Sequence, residues 1–292
     1  MAKGRELKGR IKTVENTRKI TRTMEMVATS KMKRAQDRVH SARPYANALA
    51  DVISSLYSPD LAERFPLLRQ PKEQKRVALI VLTSNRGLAG AFNANLIKEG
   101  RARLAEMEKR GVSVDLHIVG KKAIGYFKYV NREMTTQRVD ITDKPTALNA
   151  AEIVDGVMKD YVSGALDGVY ITYSKFNSVL STPPTTDQVL PVTPPAKKDT
   201  GNDAYEHDYL LYPDAETILR ELLPSYVRNA VYRALVETVA GEQAARRTAM
   251  KNATDNAGDI LTTLRRTYNR ARQAQITQEI AEIVGGASAL EG

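Results

Sequence analysis

A chain of 292 residues with 42% hydrophobic and 27% charged residues has room for one or two domains, and no apolar run in it approaches the roughly 20 residues of a membrane span. It contains no cysteine, which excludes disulfides, thiolate metal sites and a cysteine nucleophile. The net charge of +10 is concentrated at the two ends: residues 1–43 hold 13 Lys/Arg against 4 Asp/Glu, and residues 246–272 hold 7 against 2. Basic stripes of this kind imply an acidic partner, whether nucleic acid, an anionic membrane or an acidic protein surface, or else a solvated face. The N-terminal MAKGRELKGR lacks the apolar core of a secretory signal, and a cytoplasmic compartment fits.

In chain order, residues 3–57 have no glycine after Gly9, and Met32, Ala35, Val39, Ala42, Ala46, Leu49, Ile53 and Leu56 alternate steps of three and four. That is a heptad seam on a helix, begun by Leu7, Ile11 and Val14. Pro44 predicts a kink or a local break, and Ser58-Pro59 the end of the helix. Residues 59–75 read as a polar connector. VALIVLT at 77–83 is a short continuous apolar run, as in a buried parallel strand. Helices follow at 93–110, 121–131 and 146–163, and strands at 114–119, 138–141, 168–173 and 188–192. This alternation predicts an open α/β sheet over 76–195.

Residues 193–211 read as a second connector. A longer helix then runs from Pro213-Asp214 to a C-terminal stop at Gly285-Gly286, with a bend at Pro224 and a seam of Met250, Ala253, Ala257, Ile260, Leu264, Tyr268 and Ala271. Helices of 55 and 71 residues extend roughly 80 and 105 Å, too long for a compact domain of this mass. They must leave it and pair with each other. The predicted fold is therefore an α/β sheet domain plus a long antiparallel coiled coil of the N- and C-terminal helices, 1–58 with 212–292. Within the second helix, RRTAMKNATDNAGD at 246–259 is rich in poor helix formers and has Met250 as its only large apolar residue. Such a stretch needs support from neighbours, and suits a slim rod enclosed by other chains.

Signals for chemistry are few. LTSNRGLAGAFN at 82–93 follows a strand and opens a helix, but matches neither G-x-G-x-x-G nor G-x-x-x-x-G-K-[ST]. It reads as a tight packing turn, with phosphate binding as the alternative. His40, His117 and His207 lie in separate segments with no ligand spacing, and no G-x-S-x-G elbow occurs. No catalytic, cofactor-binding or metal site is assigned. The basic first helix lacks aromatics for stacking on nucleic acid and lacks the Trp/Phe/Leu face of a membrane-surface helix. Three readings stay open on residues alone: a shaft within an assembly, a coiled-coil nucleic-acid binder, and a nucleotide-using α/β enzyme.

MEMVATSKMKRAQ (24–36), LTSNRGLAGAFN (82–93), AMKNATDNAGD (249–259) and NRARQAQITQEIAEIVGGA (269–287) closely resemble, in order and spacing, the gamma subunit of F-type ATP synthases. The resemblance covers essentially the whole chain and implies a non-catalytic rotor: a coiled coil inserted into a ring of three alpha and three beta subunits, with ATP made or hydrolysed on beta. The α/β domain would stand below the ring against the epsilon subunit and the membrane rotor ring, coupling proton-driven rotation to catalysis. No nucleic acid and no cofactor are expected, and the absence of cysteine argues against the thiol control of the chloroplast branch. The implied location is peripheral, on the cytoplasmic face of a bacterial inner membrane, with a processed organellar protein as the alternative. Carried over from the family's motifs, the expected rotor–ring contacts are Lys19, Arg22, Met24 and Lys33 on the first helix, and Arg246, Arg272, Gln273 and Thr277 on the second. Ile276, Ile280 and Ile283 are expected to act as an apolar bearing at the tip. Tyr205 and Tyr209 are expected at the foot, within a segment 197–213 facing epsilon and the membrane ring.

Overall fold

The computed structural model describes residues 2–57, 64–71, 73–193 and 214–291. The chain divides into two compact units, Met1–Thr29 with Arg246–Gly292, and Ser30–Ala245. Its two long helices are α1 (Ala2–Leu56) and α5 (Ala215–Glu291).

In the first unit the helices pair antiparallel. The Thr254 hydroxyl donates to Thr21 at 2.8 Å, Gly258 lies beside the Arg18 guanidinium, and Arg265 bridges to Glu15 at 2.5 Å. On α1 the seam continues the predicted row through Thr21, Glu25 and Ala28. On α5 the buried row is Met250, Thr254, Ala257 and Leu261. This corrects the expected seam by one residue at two places: Ala253 is only half-buried on its flank, and Ile260 is 50% exposed while Leu261 is 3% exposed. The polar Thr254 can sit inside because its one hydroxyl proton has an acceptor within 2.8 Å in either the Thr21 hydroxyl or the Met250 carbonyl. Hydroxyls on the outer faces do likewise: Thr13, Thr17, Thr23 and Thr29 on α1, and Thr262, Thr263, Thr267 and Thr277 on α5, each bond the carbonyl four residues back.

Neither a break at Pro44 nor a stop at Gly285-Gly286 occurs. α1 runs through Pro44, whose ring faces solvent where the missing N–H leaves a carbonyl that water can reach. α5 continues past Gly285-Gly286, because neither glycine takes the positive φ of a terminating cap. At its other end Asp214 caps α5, accepting from the Thr217 amide at 2.8 Å, and α5 also runs through Pro224.

The second unit holds a five-stranded sheet of order β3-β2-β1-β4-β5. Its strands are β1 (Arg76–Leu82), β2 (Ser113–Val119), β3 (Thr136–Arg138), β4 (Gly168–Ser174) and β5 (Pro184–Leu190). The first four are parallel and β5 is an antiparallel edge. β3 and β5 lie a few residues earlier than the sequence predicted, since both are edge strands with little apolar signal. The intervening helices are α2 (Phe92–Lys109), α3 (Lys121–Tyr129) and α4 (Ala147–Val162), the last opened by a capping box of Thr146 and Asn149.

β1 is apolar on both faces, as a strand covered on both sides must be. Leu79 and Val81 pack with Leu104 of α2 and Ile124 and Phe127 of α3. Ala78, Ile80 and Leu82 pack with α4, with Leu49 and Ile53 of α1, and with Leu219 to Leu235 of α5. The expected polar connector 59–75 is polar and largely exposed over its described part, but it anchors Phe65, Leu67 and Leu68 in this second core. Of the predicted row, Met32, Ala35, Val39, Leu49, Ile53 and Leu56 are buried, and Ala42 and Ala46 are half-buried.

Candidate functional site

Two regions are candidates, and each is described within its own unit. The first is the surface of the helix pair. Its N-terminal stretch, Met1–Thr29, carries eight Lys/Arg against three Glu. Lys19 and Arg22 are exposed, and beside them Ile20, Met24 and Val27 form an outward apolar row at steps of four and three, with Met24 37% exposed. Burying large apolar side chains is favourable, so an outward row of them is a candidate contact surface. On α5, Arg246 is half-buried, and Arg272, Gln273 and Thr277 are exposed, the last donating to the Gln273 carbonyl at 3.0 Å. Ile276, Ile280, Ile283 and Val284 are all exposed. Lys33 belongs to the second unit, where it is exposed and 3.6 Å from Asp37. The structure thus places seven of the eight expected contact residues on one helix pair. Tyr205 and Tyr209 lie outside the described residues.

The second region is the carboxyl edge of the sheet. In this topology the chain leaves β1 toward β2 by way of α2 but reaches β4 from β3 by way of α4. The crevice between the ends of β1 and β4 is where open α/β sheets ordinarily take a ligand. Here α5 fills it. Residues 234–244 are eleven consecutive buried positions, so the helix is enclosed on every side. Gly241 is the point of closest approach: a Cβ there would overlap Ser174 Oγ at the end of β4 and lie 3.3 Å from the Phe92 ring that follows β1. Only glycine admits that approach without a shift of its neighbours.

Polar groups fix the helix in this collar. Glu237, 5% exposed, accepts the Phe176 amide at 2.9 Å and pairs with Arg233 at 3.3 Å. The Thr238 hydroxyl accepts from the Ser174 amide at 3.4 Å. Arg233 lines one small cavity with Tyr173 and Asp187, and the Tyr173 hydroxyl donates to Asp187 at 2.7 Å. Burial, and then the bond to Asp187, push the Tyr173 pKa well above its ordinary value. Burial works against the Arg233 charge, but the Tyr173 hydroxyl and the Glu237 carboxylate overcome it and the net shift is upward. The Gln243 side-chain oxygen is buried without a hydrogen-bond partner among the described residues.

The turn singled out in the sequence, 82–93, spends its polar groups on structure. Ser84 donates its amide to Asn93 at 3.0 Å and its hydroxyl to the Arg86 carbonyl at 2.6 Å. Asn85 donates to the Val139 and Ile141 carbonyls and accepts the first amide of α3. A cleft of about 400 Å³ remains beside α5, with Arg86, Lys121, Lys144, Asp143 and Glu242 at its walls. Its roof loop is tied to α1: Asp143 pairs with Lys31 at 2.5 Å, and its carbonyl accepts from Arg38 at 2.8 Å. No group of three potential metal ligands occurs among the described residues, and no described helix is long and apolar enough to cross a membrane. Sequence reasoning missed the collar. Its signal was present as Glu237, Gly241, Glu242 and Gln243 inside the run ALVETVAGEQAA, where neither a charge nor a glycine suits an ordinary buried helix.

A family profile described as ATP synthase matches residues 3–290. The ATP synthase gamma chain of Gemmatimonas aurantiaca is 66% identical over 292 residues, covering 100% of both chains. That of Leptospira biflexa is 43% identical over 291 residues, covering 99% of this chain and 100% of the relative. Among solved structures, a chain of the central stalk and c-ring of the Tetrahymena thermophila mitochondrial ATP synthase aligns with a TM-score of 0.62 at 25% identity, covering 80% of this chain and 99% of that one. A chain of the Euglena gracilis mitochondrial ATP synthase rotor aligns with a TM-score of 0.65 at 21% identity, covering 94% and 99%, and shares the fold.

Proposed function

This chain belongs to the ATP synthase gamma-chain family, and from that premise we propose that it is the central-stalk rotor of a bacterial F-type ATP synthase and carries no catalytic site of its own. The helix pair enters a ring of three alpha and three beta subunits, and catalysis occurs on beta. The sheet domain stands outside the ring against epsilon and the membrane ring, at the cytoplasmic face. Rotation driven by proton flow turns the shaft, and the shaft's asymmetric surface favours a different state of each beta subunit in turn.

The observation that carries this reading is the helix pair itself. Its seam is a single row of small and medium side chains, and Ile20, Met24, Val27, Ile276, Ile280 and Ile283 face outward. A shaft can bias its surroundings only through contacts that differ between angles, since equal affinity at all angles shifts nothing. A mixed apolar and basic surface supplies such differences against acidic and apolar walls. Lys19, Arg22, Met24, Arg246, Arg272, Gln273 and Thr277 are the contacts we assign to the ring, with Lys33 at a solvated edge and the three isoleucines as the tip bearing. The sheet's ligand crevice is occupied by α5, which supports a domain used for attachment and not for nucleotide chemistry.

The test is mass analysis of the intact assembly. One copy of this chain with three alpha and three beta subunits is expected, together with no ATP hydrolysis by the rigorously purified chain. A chain that purifies alone from its own cells, or that hydrolyses ATP without beta, would sink the proposal.

A further inference from the structure

The collar around residues 234–244 does more than bury a helix. An apolar sleeve would hold α5 by its area and leave its angle weakly defined, because hydrophobic contact is non-directional. Hydrogen bonds are directional, and two of them reach the helix from the β4–β5 hairpin. Arg233 and Glu237 are one turn apart and both face the β4–β5 hairpin, through Phe176, Tyr173 and Asp187. Thr238 adds the Ser174 amide. Gly241, one further turn along, sets the depth, since any side chain there would be pushed off Ser174 and Phe92. Turning α5 by one residue, about 100°, would take Glu237 away from Phe176. It would leave the buried Phe176 amide without its acceptor and the Glu237 carboxylate with only Arg233 of its own helix, and replace the glycine contact with a side chain.

We propose that residues 233–241 are a key that fixes the rotational setting of α5 in the α/β domain, with Glu237 the positioning residue, so that torque applied to the domain reaches the helix without slack. This rests on the rotor reading above, and the experiment separates the two. The chain has no cysteine, so Tyr129→Cys, at a position 85% exposed on α3, gives this chain a single thiol for a bead on the α/β domain, used in the ATP synthase assembled with cysteine-free partner subunits. The angular variance of that bead is recorded in complexes stalled by a non-hydrolysable ATP analogue, and its rotation is recorded with ATP.

Glu237→Ala is expected to raise the stalled variance severalfold while ATP hydrolysis by the complex is unchanged. Glu237→Gln, which keeps an acceptor for the Phe176 amide, should stay near the parent. Glu216→Gln, an exposed carboxylate on the same helix paired with Arg220, should leave the variance unchanged. Should Glu237→Ala fail to assemble, Thr238→Val combined with Arg233→Gln removes two of the polar ties and is expected to give a smaller rise. Parent variance in Glu237→Ala, or in the double variant if that is the one that assembles, overturns the key. A bead that never turns on ATP addition overturns the rotor reading instead.

Discussion

The same two helices are packed in two different ways. In the first unit α5 touches one neighbour along one row, and most of its surface is exposed. Over residues 234–244, in the second unit, it is closed in on every side and tied by charge. The glycines show the contrast most directly. Gly241 has no room for a methyl group, whereas at Gly258 a Cβ would make an ordinary contact 3.8 Å from the Arg18 guanidinium carbon. A helix that must be held needs a socket specified atom by atom. A helix that must move past its surroundings needs only enough seam to stay paired.

The comparison breaks most sharply in the cores. Leu79→Ala, at a fully buried β1 position, is expected to cost roughly 3–5 kcal/mol, and Leu261→Ala in the seam about 2 kcal/mol, because the thin seam can close over the gap. Chemical denaturation of the full chain measures both, and equal costs would erase the distinction. At the glycines the signs should differ. Gly241→Ala is expected to destabilise by roughly 1–2 kcal/mol, overlap outweighing helix propensity. Gly258→Ala should stabilise by up to about 1 kcal/mol.

A charge placed on the outward row tests the shaft surface without touching a core. Met24→Lys should assemble and hydrolyse ATP, yet lower the ratio of proton pumping to hydrolysis in membrane vesicles. A new ion pair at one rotor angle would slow departure from that angle. Exposed ion pairs contribute only about 0–1 kcal/mol, so Lys33→Ala, at 75% side-chain exposure, should leave the ratio unchanged. An unaltered ratio for Met24→Lys would remove this stretch from the contact surface.

The smallest expected effect is on pH. His117, in β2, is buried against Thr136, and burial lowers its pKa below the ordinary 6.5 despite the pull of Asp115 and Asp160. The unfolded chain therefore binds a proton at His117 more readily than the folded one. Its contribution to stability is complete above about 6.5 and is lost as pH falls below that value. Stability measured from pH 7.5 down to 5 should show this slope, and His117→Gln should flatten it.

Much of this was legible in the sequence where period and hydrophobicity agree. The α1 seam from Met32 to Leu56 and the run at 77–83 are cases in which tertiary packing rewards the pattern written in the chain. Legibility ended where polar atoms do the packing. Thr254 displaced Ala253 from the seam because its hydroxyl had two partners, and Leu261 followed it in place of Ile260. Glu237 is a core residue only because Phe176 and Arg233 meet it there, two contacts that no local rule predicts. Gly285-Gly286 read as a stop because glycine usually is one after a periodic helix, but nothing at that end draws the backbone into a cap.

The threonines of the helix pair carry a consequence for friction. With each outer hydroxyl turned onto its own helix's carbonyl, what those residues offer to a passing wall is a methyl group and no free donor. Dispersion between methyls varies gently with sliding distance, while a hydrogen bond is gained and lost over a fraction of an ångström. A shaft clad this way meets a smoother energy profile as it turns than one clad in serine or asparagine. Its drag then falls on the basic and amide side chains that stand clear of the surface, and the charged ones among them are also able to tell one angle from the next.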